Sequence, residues 1–192
     1  MSLVPPTRRL VTQPVLAPFE CAALVGAIDA AAWRPGTVGR PEAAERAELK
    51  VRSCAAAPVA DLILVERIAQ VAMWANDQLF GFRLDGVSEA DPPAVLRYVV
   101  GDHFAWHPDI GAEGTPAASR KLSYTLQLSD PSSYEGGDLE LGVHHLTGTS
   151  VAGLRAQGTL VLFPSFLVHR VTPVTAGVRH AIVGWLHGPA FT

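Results

Sequence analysis

The stretch GTLVLFPSFLVHRVTPVTAGVRHAIVGWLHGP, residues 158–189, decides the fold of this chain. It consists of short apolar and β-branched runs separated by Pro, Gly and Thr, a pattern typical of strands joined by turns. The candidate strands here are Thr159 to Phe163, Val168 to Val174 and Arg179 to His187. No helical pattern lies between them, so the stretch indicates an antiparallel sheet.

The same pattern extends back to Pro92-Pro93. Further candidate strands are Ala94 to Val100, Leu122 to Leu128 and Asp138 to Leu141, again bounded by Gly, Pro, Asp and Ser. Six short strands without a helix between them predict an antiparallel sandwich or barrel.

The first part of the chain has a helical pattern instead. Apolar residues recur at helical spacing from Phe19 to Ala32, after Pro18, and again from Pro58 to near Gly81. Residues Arg34 to Ser53 read as a solvated connection and a candidate lid. We therefore expect a mainly β fold with supporting N-terminal helices in one domain: residues 1–92 give helical support and the lid, and residues 93–192 form the β-rich half.

Charge and cysteine content exclude several classes of protein. The chain has 192 residues and a net charge of −3, which provides no bulk attraction for nucleic acid or an anionic membrane. Cys21 and Cys54 form no CxxC pattern, so neither a disulfide framework nor a thiolate zinc site is expected, and the predicted location is cytoplasmic.

Glu20 and Asp29 interrupt the apolar stretch Pro14 to Trp33, so we expect no targeting segment and no transmembrane helix.

A candidate metal site begins at His107 and Asp109. On an extended segment, residues i and i+2 point to the same side, and Pro108 keeps His107 out of the helical region. Both side chains can therefore converge on one metal ion, although a surface turn also explains this pair.

His169 and Arg179 extend the pattern. His169 lies in a predicted core strand, where a neutral imidazole needs either a metal or a carbonyl partner. Two His and one Asp form the facial triad that holds non-haem Fe(II) and leaves positions open. Arg179 begins the last strand, where we expect it beside His169 on a neighbouring strand and able to grip a carboxylate.

The order H-x-D, His, Arg carries a family resemblance. The region from Leu96 to Trp185 resembles the Fe(II)/2-oxoglutarate dioxygenases, in the prolyl 4-hydroxylase-like branch that includes the bacterial PKHD-type hydroxylases. The matching segments are RYVVGDHFAWHPDIG (97–111), RKLSYTLQLSDPSSYEGGDLEL (120–141) and residues 158–189, with weaker similarity in WRPGTVG (33–39) and LKVR (49–52). The resemblance implies a double-stranded β-helix, or jelly roll, and an enzyme that uses Fe(II), 2-oxoglutarate, O2 and ascorbate as reductant. Such an enzyme hydroxylates an unactivated C–H bond with release of succinate and CO2.

The resemblance also implies roles for individual residues. It assigns iron binding to His107, Asp109 and His169, and the distal carboxylate of 2-oxoglutarate to Arg179. Tyr98 is expected to support that carboxylate through its hydroxyl, and Gln127 is a further candidate for cosubstrate binding. Val183 stands where some relatives carry a hydroxyl, so the second carboxylate anchor is expected to differ. The carboxylate of Asp109 favours hydroxylation over halogenation.

Two alternatives and several substrate classes stay open. The same triad with Zn²⁺ would form a hydrolase, although that gives Arg179 no role, and a non-catalytic β-helix that binds a ligand is the other alternative. Peptidyl proline, a free amino acid and another small metabolite are all candidate substrates. The loops Ile110 to Ser119 and Ser129 to Gly136 are the expected substrate contacts, together with Trp106 and Arg120.

Overall fold

The computed structural model describes residues 10–28, 32–36, 51–142 and 154–190. Helix α1 spans Pro18–Gly26, and helix α2 spans Leu62–Ala75 and continues as a π-helical segment, Asn76–Phe80. A short 3-10 helix lies at Pro116–Ser119. None of the helices in these ranges is long and apolar enough to cross a membrane.

The strands of the described ranges form three antiparallel sheets. In chain order the strands are β1 Val11–Pro14, β2 Arg34–Pro35, β3 Arg52–Ser53, β4 Ala55–Pro58, β5 Ala94–Tyr98, β6 His103–His107, β7 Arg120–Gln127, β8 Tyr134–Gly136, β9 Leu139–Leu141, β10 Thr159–Pro164, β11 His169–Val171, β12 Val174–Gly177 and β13 Arg179–His187. The major sheet has the order β1-β10-β7-β13-β5-β4-β2, and the minor sheet has the order β3-β6-β11-β9. Strands β12 and β8 pair separately.

The helices have recognisable start and stop signals. The carboxylate of Asp61 accepts a hydrogen bond from the Leu64 N–H at 3.0 Å and so caps α2. The π-helical segment ends at Gly81, whose φ of 70° is left-handed. An ion pair of 3.1 Å between Glu20 and Arg67 joins α1 to α2.

The two faces of the major sheet have different partners. One face packs against the helices and forms the main apolar core, whose members include Leu122, Leu126, Leu160, Leu162, Ile182, Leu64 and Ile68. Because side chains alternate along a strand, the intervening residues face the minor sheet. That second face carries the buried polar residues Ser123, Thr125, Gln127 and Arg179, so the space between the two sheets suits a polar site.

Five of the six predicted strands of the second half are confirmed within a few residues, and Arg179 to His187 is confirmed at both ends. The predicted strand Val168 to Val174 is wrong as one unit, because it divides into β11 and the start of β12. Strands β6 and β8 were not predicted.

The helices predicted before Pro92 are accompanied by strands, which the helical pattern did not indicate. Strands β1 to β4 lie in that part of the chain, three of them in the major sheet. They are two to four residues long and three of them end in proline, so they carry little strand signal. Helix α1 is shorter than predicted and ends at Gly26.

Candidate active site

His107 and His169 lie directly opposite each other, because β6 and β11 pair in that register. Asp109 follows two residues after His107, as the extended H-x-D pattern predicts. Its Oδ1 lies 3.7 Å from Nε2 of His107, and its Oδ2 lies 3.6 Å from Nε2 of His169. One ligand atom from each of these residues lies within 4.8 Å of the other two, which is close enough to hold one metal ion.

The imidazole rings are oriented by their second nitrogens. Nδ1 of His107 is 2.7 Å from the Ala105 carbonyl oxygen, and Nδ1 of His169 is 3.0 Å from the Leu167 carbonyl oxygen. With Nδ1–H donating to a carbonyl, Nε2 keeps its lone pair for a metal. Burial and the neighbouring His169 ring lower the pKa of His107 to about 4, so the neutral form that ligation requires prevails at neutral pH.

Asp109 is held by hydrogen bonds to its main chain and by polar groups around its carboxyl. Its N–H donates to the Ser165 carbonyl at 2.8 Å, and its own carbonyl accepts from Nη1 of Arg120 at 3.2 Å. Burial raises the pKa of its carboxyl, but the His169 ring and the polar groups of Ser123 and Trp185 outweigh burial and keep the pKa below its ordinary value. The carboxylate is therefore ionised and positioned, as a ligand to a cation must be.

Arg179 occupies the opposite wall of the same space. It lies across from Tyr98 in the pairing of β13 with β5, and only 2% of its surface is exposed. Its Nη2 donates to Oε1 of Gln127 at 2.9 Å, and its guanidinium carbon lies 5.3 Å from the centre of the Tyr98 ring. Burial and a hydrogen bond with Cys54 both raise the pKa of Tyr98, so its hydroxyl stays protonated.

A cleft between the two sheets joins these two groups of residues. It is lined by all three members of the His107, Asp109 and His169 set and by Arg179 and Tyr98. The other residues that line it include Arg52, Phe104, Thr125, Val183 and Trp185. A compact anion bound to Arg179 could thus extend towards a metal ion at the opposite end.

One sequence expectation needs correction. Arg179 is not on a strand beside His169: β13 pairs with β5 and β7 in the major sheet, and His169 lies in the minor sheet. Trp106 and Arg120 do not line the cleft. Arg170 covers the Trp106 ring from 4.8 Å, on the face that alternation turns away from the site, and Arg120 is paired with Asp91. The candidate lid, Arg34 to Ser53, lies mostly outside the described residues.

Sequence reasoning missed several residues of the cleft. Thr125 lies directly across from Val183 and shares the face of Gln127, so the period-two rule applied to β7 would have found it. The contact of Arg120 with Trp185, 3.3 Å from guanidinium carbon to ring centre, joins separate strands and has no local signal. Arg52 lies 4.9 Å from the Phe104 ring, which stacks on His107 at 3.4 Å.

Comparisons with known proteins agree with this geometry. The family described as the 2OG-Fe(II) oxygenase superfamily matches residues 93–187. A PKHD-type hydroxylase of Paraburkholderia xenovorans is 37% identical over 182 residues, which cover 91% of this chain and 75% of that protein. A PKHD-type hydroxylase of Xanthomonas axonopodis is 34% identical, over 89% of this chain and 75% of the relative.

Solved structures show the same fold. A prolyl-4-hydroxylase of Pseudomonas putida superposes with a TM-score of 0.72 at 19% identity, over 96% of this chain and 95% of the other. A prolyl hydroxylase of Trichoplax adhaerens, solved with a peptide fragment of hypoxia inducible factor, has a TM-score of 0.73 at 17% identity, over 94% and 84% of the two chains. The expected double-stranded β-helix is thereby confirmed.

The sequence relatives decide between the three functions that the residues left open. They favour the oxygenase over the zinc hydrolase and over a β-helix that only binds a ligand. An enzyme of this kind uses Fe(II), 2-oxoglutarate and O2. The chain belongs to the 2OG-Fe(II) oxygenase superfamily, in the branch of the PKHD-type hydroxylases.

Proposed function

We propose that this hydroxylase acts on a prolyl, peptidyl or small amino-acid-like substrate, with Fe(II) held by His107, Asp109 and His169. The observation that carries the assignment is the convergence of two imidazole Nε2 atoms and one carboxylate at the end of a cleft whose other end holds Arg179. Two His and one carboxylate suit Fe(II) and leave three coordination positions for cosubstrate and O2.

The other end of the cleft suits the distal carboxylate of 2-oxoglutarate. Arg179 is a buried guanidinium, the geometry that grips a carboxylate through two parallel hydrogen bonds. Gln127 fixes one of its nitrogens, and the Tyr98 hydroxyl adds a protonated donor on the same wall. Thr125 offers the hydroxyl that Val183 lacks, so we assign Thr125 as the additional anchor.

Fe(II) and 2-oxoglutarate, once bound, would supply the oxidising chemistry. Fe(II) held by His107, Asp109 and His169, together with 2-oxoglutarate, would supply an oxidant that puts one oxygen atom of O2 into a substrate C–H bond as hydroxyl and the other into succinate, with release of CO2. The protein residues hold the ligands, neutralise the cosubstrate and keep water from the reacting atoms. Asp109 keeps the carboxylate ligand that makes hydroxylation the expected outcome.

The substrate assignment is supported by the two solved structures described above, both of which are named as prolyl hydroxylases and one of which was solved with a peptide. The loops Ile110 to Ser119 and Ser129 to Gly136 would select it, and residues 34–53 would act as a lid. We further propose that residues 1–92 support a catalytic half of residues 93–192 in one domain. Both described cysteines are free, which suits a reducing cytoplasm.

The test is the release of succinate and CO2 from 2-oxoglutarate with Fe(II) and O2, measured with proline-containing peptides and with free amino acids. Turnover is expected in the wild type and in Asp77→Ala, an exposed carboxylate on the π-helical segment, and should be lost in His107→Ala and Asp109→Ala. Turnover that persists in both site variants would overturn the assignment. Omitting ascorbate should shorten the linear phase of turnover, and an unchanged time course would remove ascorbate from the proposal.

A further inference from the structure

A buried hydrogen-bond donor in the cleft has no acceptor. Within the described ranges, Nε1 of Trp185 is shielded from solvent and makes no hydrogen bond. Leaving such a group unpaired costs about 1–3 kcal/mol, so an unpaired donor in a native protein calls for an explanation, such as a role at a functional site. Trp185 lies on the same face of β13 as Arg179 and lines the cleft with Asp109.

The indole ring is held firmly beside Asp109. The Arg120 guanidinium carbon lies 3.3 Å from the ring centre, and the same guanidinium donates through Nη1 to the Asp109 carbonyl oxygen at 3.2 Å. Asp91 fixes that guanidinium with two bonds, from Nε at 2.6 Å and from Nη2 at 2.8 Å. One cation therefore locates both the Trp185 ring and the main chain of Asp109, two residues that line the same cleft. The indole N–H is also among the groups that keep the pKa of the Asp109 carboxyl low.

The Asp109 carboxylate is almost symmetric between its two neighbours. Its two oxygens lie 3.7 Å and 3.6 Å from the Nε2 atoms of His107 and His169, respectively. The imidazoles therefore do not determine whether the carboxylate binds a metal ion through one oxygen or through both. A carboxylate can bind a metal in either way. Binding through both oxygens would occupy a position that 2-oxoglutarate or O2 needs.

We propose that Trp185 is a positioning residue whose indole N–H bonds the Asp109 oxygen that does not bind the metal, and so keeps the carboxylate on the metal through one oxygen. This inference rests on the metal site proposed above. Partners of this kind typically change metal affinity or activity by 10- to 100-fold when they are removed.

The matched variants are Trp185→Phe, which removes the N–H but keeps a ring for Arg120 to cover, and Trp74→Phe on the exposed side of α2. Calorimetric titration with Mn²⁺ should show affinity at least tenfold weaker in Trp185→Phe and unchanged in Trp74→Phe. The visible spectrum of the Co²⁺-loaded protein should also change only in Trp185→Phe, because the coordination of the metal changes. Wild-type affinity together with a wild-type spectrum in Trp185→Phe would overturn the inference.

A second measurement needs no substitution at the site. In the ¹⁵N-labelled wild type, Zn²⁺ and 2-oxoglutarate should shift the Trp185 indole proton downfield and slow its exchange with solvent, as a new hydrogen bond requires. An unmoved indole signal in a protein that binds Zn²⁺ overturns the inference alone. Failure of the wild type to bind Mn²⁺ or Zn²⁺, or equal binding by His107→Ala, would instead overturn the proposed metal site.

Discussion

Arg179 and Gln127 form a buried hydrogen bond of 2.9 Å between neighbouring strands of the major sheet. The guanidinium is 2% exposed, and no carboxylate is paired with it among the ion pairs of the described residues. A buried cation without an anion is costly. The positive charge of Arg179 therefore lacks a counter-ion within the described residues, and a carboxylate of 2-oxoglutarate would supply one on binding.

Gln127→Leu should raise the KM for 2-oxoglutarate tenfold or more and leave kcat at saturating cosubstrate nearly unchanged. A hydrogen bond to a charged group contributes about 1.5–3 kcal/mol, and its loss frees Arg179 to turn away from the ligand. The measurement is succinate formation across a range of 2-oxoglutarate concentrations. Gln157→Leu, which removes a side chain bonded to the Leu128 carbonyl, is the control. An unchanged KM in Gln127→Leu would mean that Arg179 is positioned without Gln127.

Gly137 supports Arg179 through its lack of a side chain. Its φ is 61°, and a Cβ there would lie 2.9 Å from Cγ2 of Val174 and 3.1 Å from Cδ of Arg179. Gly137→Ala should therefore weaken 2-oxoglutarate binding several-fold, as measured by calorimetry on the Mn²⁺-loaded protein.

Gly81→Ala separates this steric effect from backbone strain. Gly81 has a similar φ of 70°, but a Cβ there would meet nothing within 4 Å. Both substitutions should reduce the free energy of unfolding by about 1–2 kcal/mol through the left-handed backbone. Only Gly137→Ala should alter cosubstrate affinity, and equal affinity in the two variants would contradict the steric argument.

Much of the site could be predicted because its signals are local. His107 and Asp109 share one extended segment, and the alternation of β13 places Arg179 and Trp185 on one face. Both patterns involve residues at most a few positions apart, which the sequence displays directly. The strand Arg179–His187 was predictable for the same reason, since its ends coincide with a turn and with Gly188-Pro189.

The pairing between distant segments could not be predicted in this way. Strand β1 pairs with β10, which lies far along the chain, and its four residues, VTQP, carry too little strand signal to predict that pairing. Arg120 contacts Trp185 and Asp91 because three separate segments meet there. The neighbours of Arg179 were also not predictable from local sequence, because they depend on β13 lying between β5 and β7 in the major sheet.

Metal loading should stabilise the protein through the proposed ligands. A metal present at 100 times its dissociation constant adds about 2.7 kcal/mol to the free energy of unfolding. For a chain of this size that corresponds to a rise in Tm of roughly 5–10 °C. Thermal unfolding with Mn²⁺ should show this rise in the wild type and in Asp77→Ala, and EDTA should reverse it. His169→Ala should show almost none, and a full rise in that variant would place the metal elsewhere.

The packing of α2 on the major sheet can be tested with two isoleucines of one helix. Ile68 is fully buried in the core that α2 shares with β7 and β10, whereas Ile63 is 80% exposed. Ile68→Ala should lower the free energy of unfolding by about 2–5 kcal/mol, because it removes buried methyl groups and leaves a cavity. Ile63→Ala should change it by less than about 0.5 kcal/mol, since its side chain is already hydrated. Urea unfolding gives both values, and equal losses would mean that α2 does not dock through the Ile68 face.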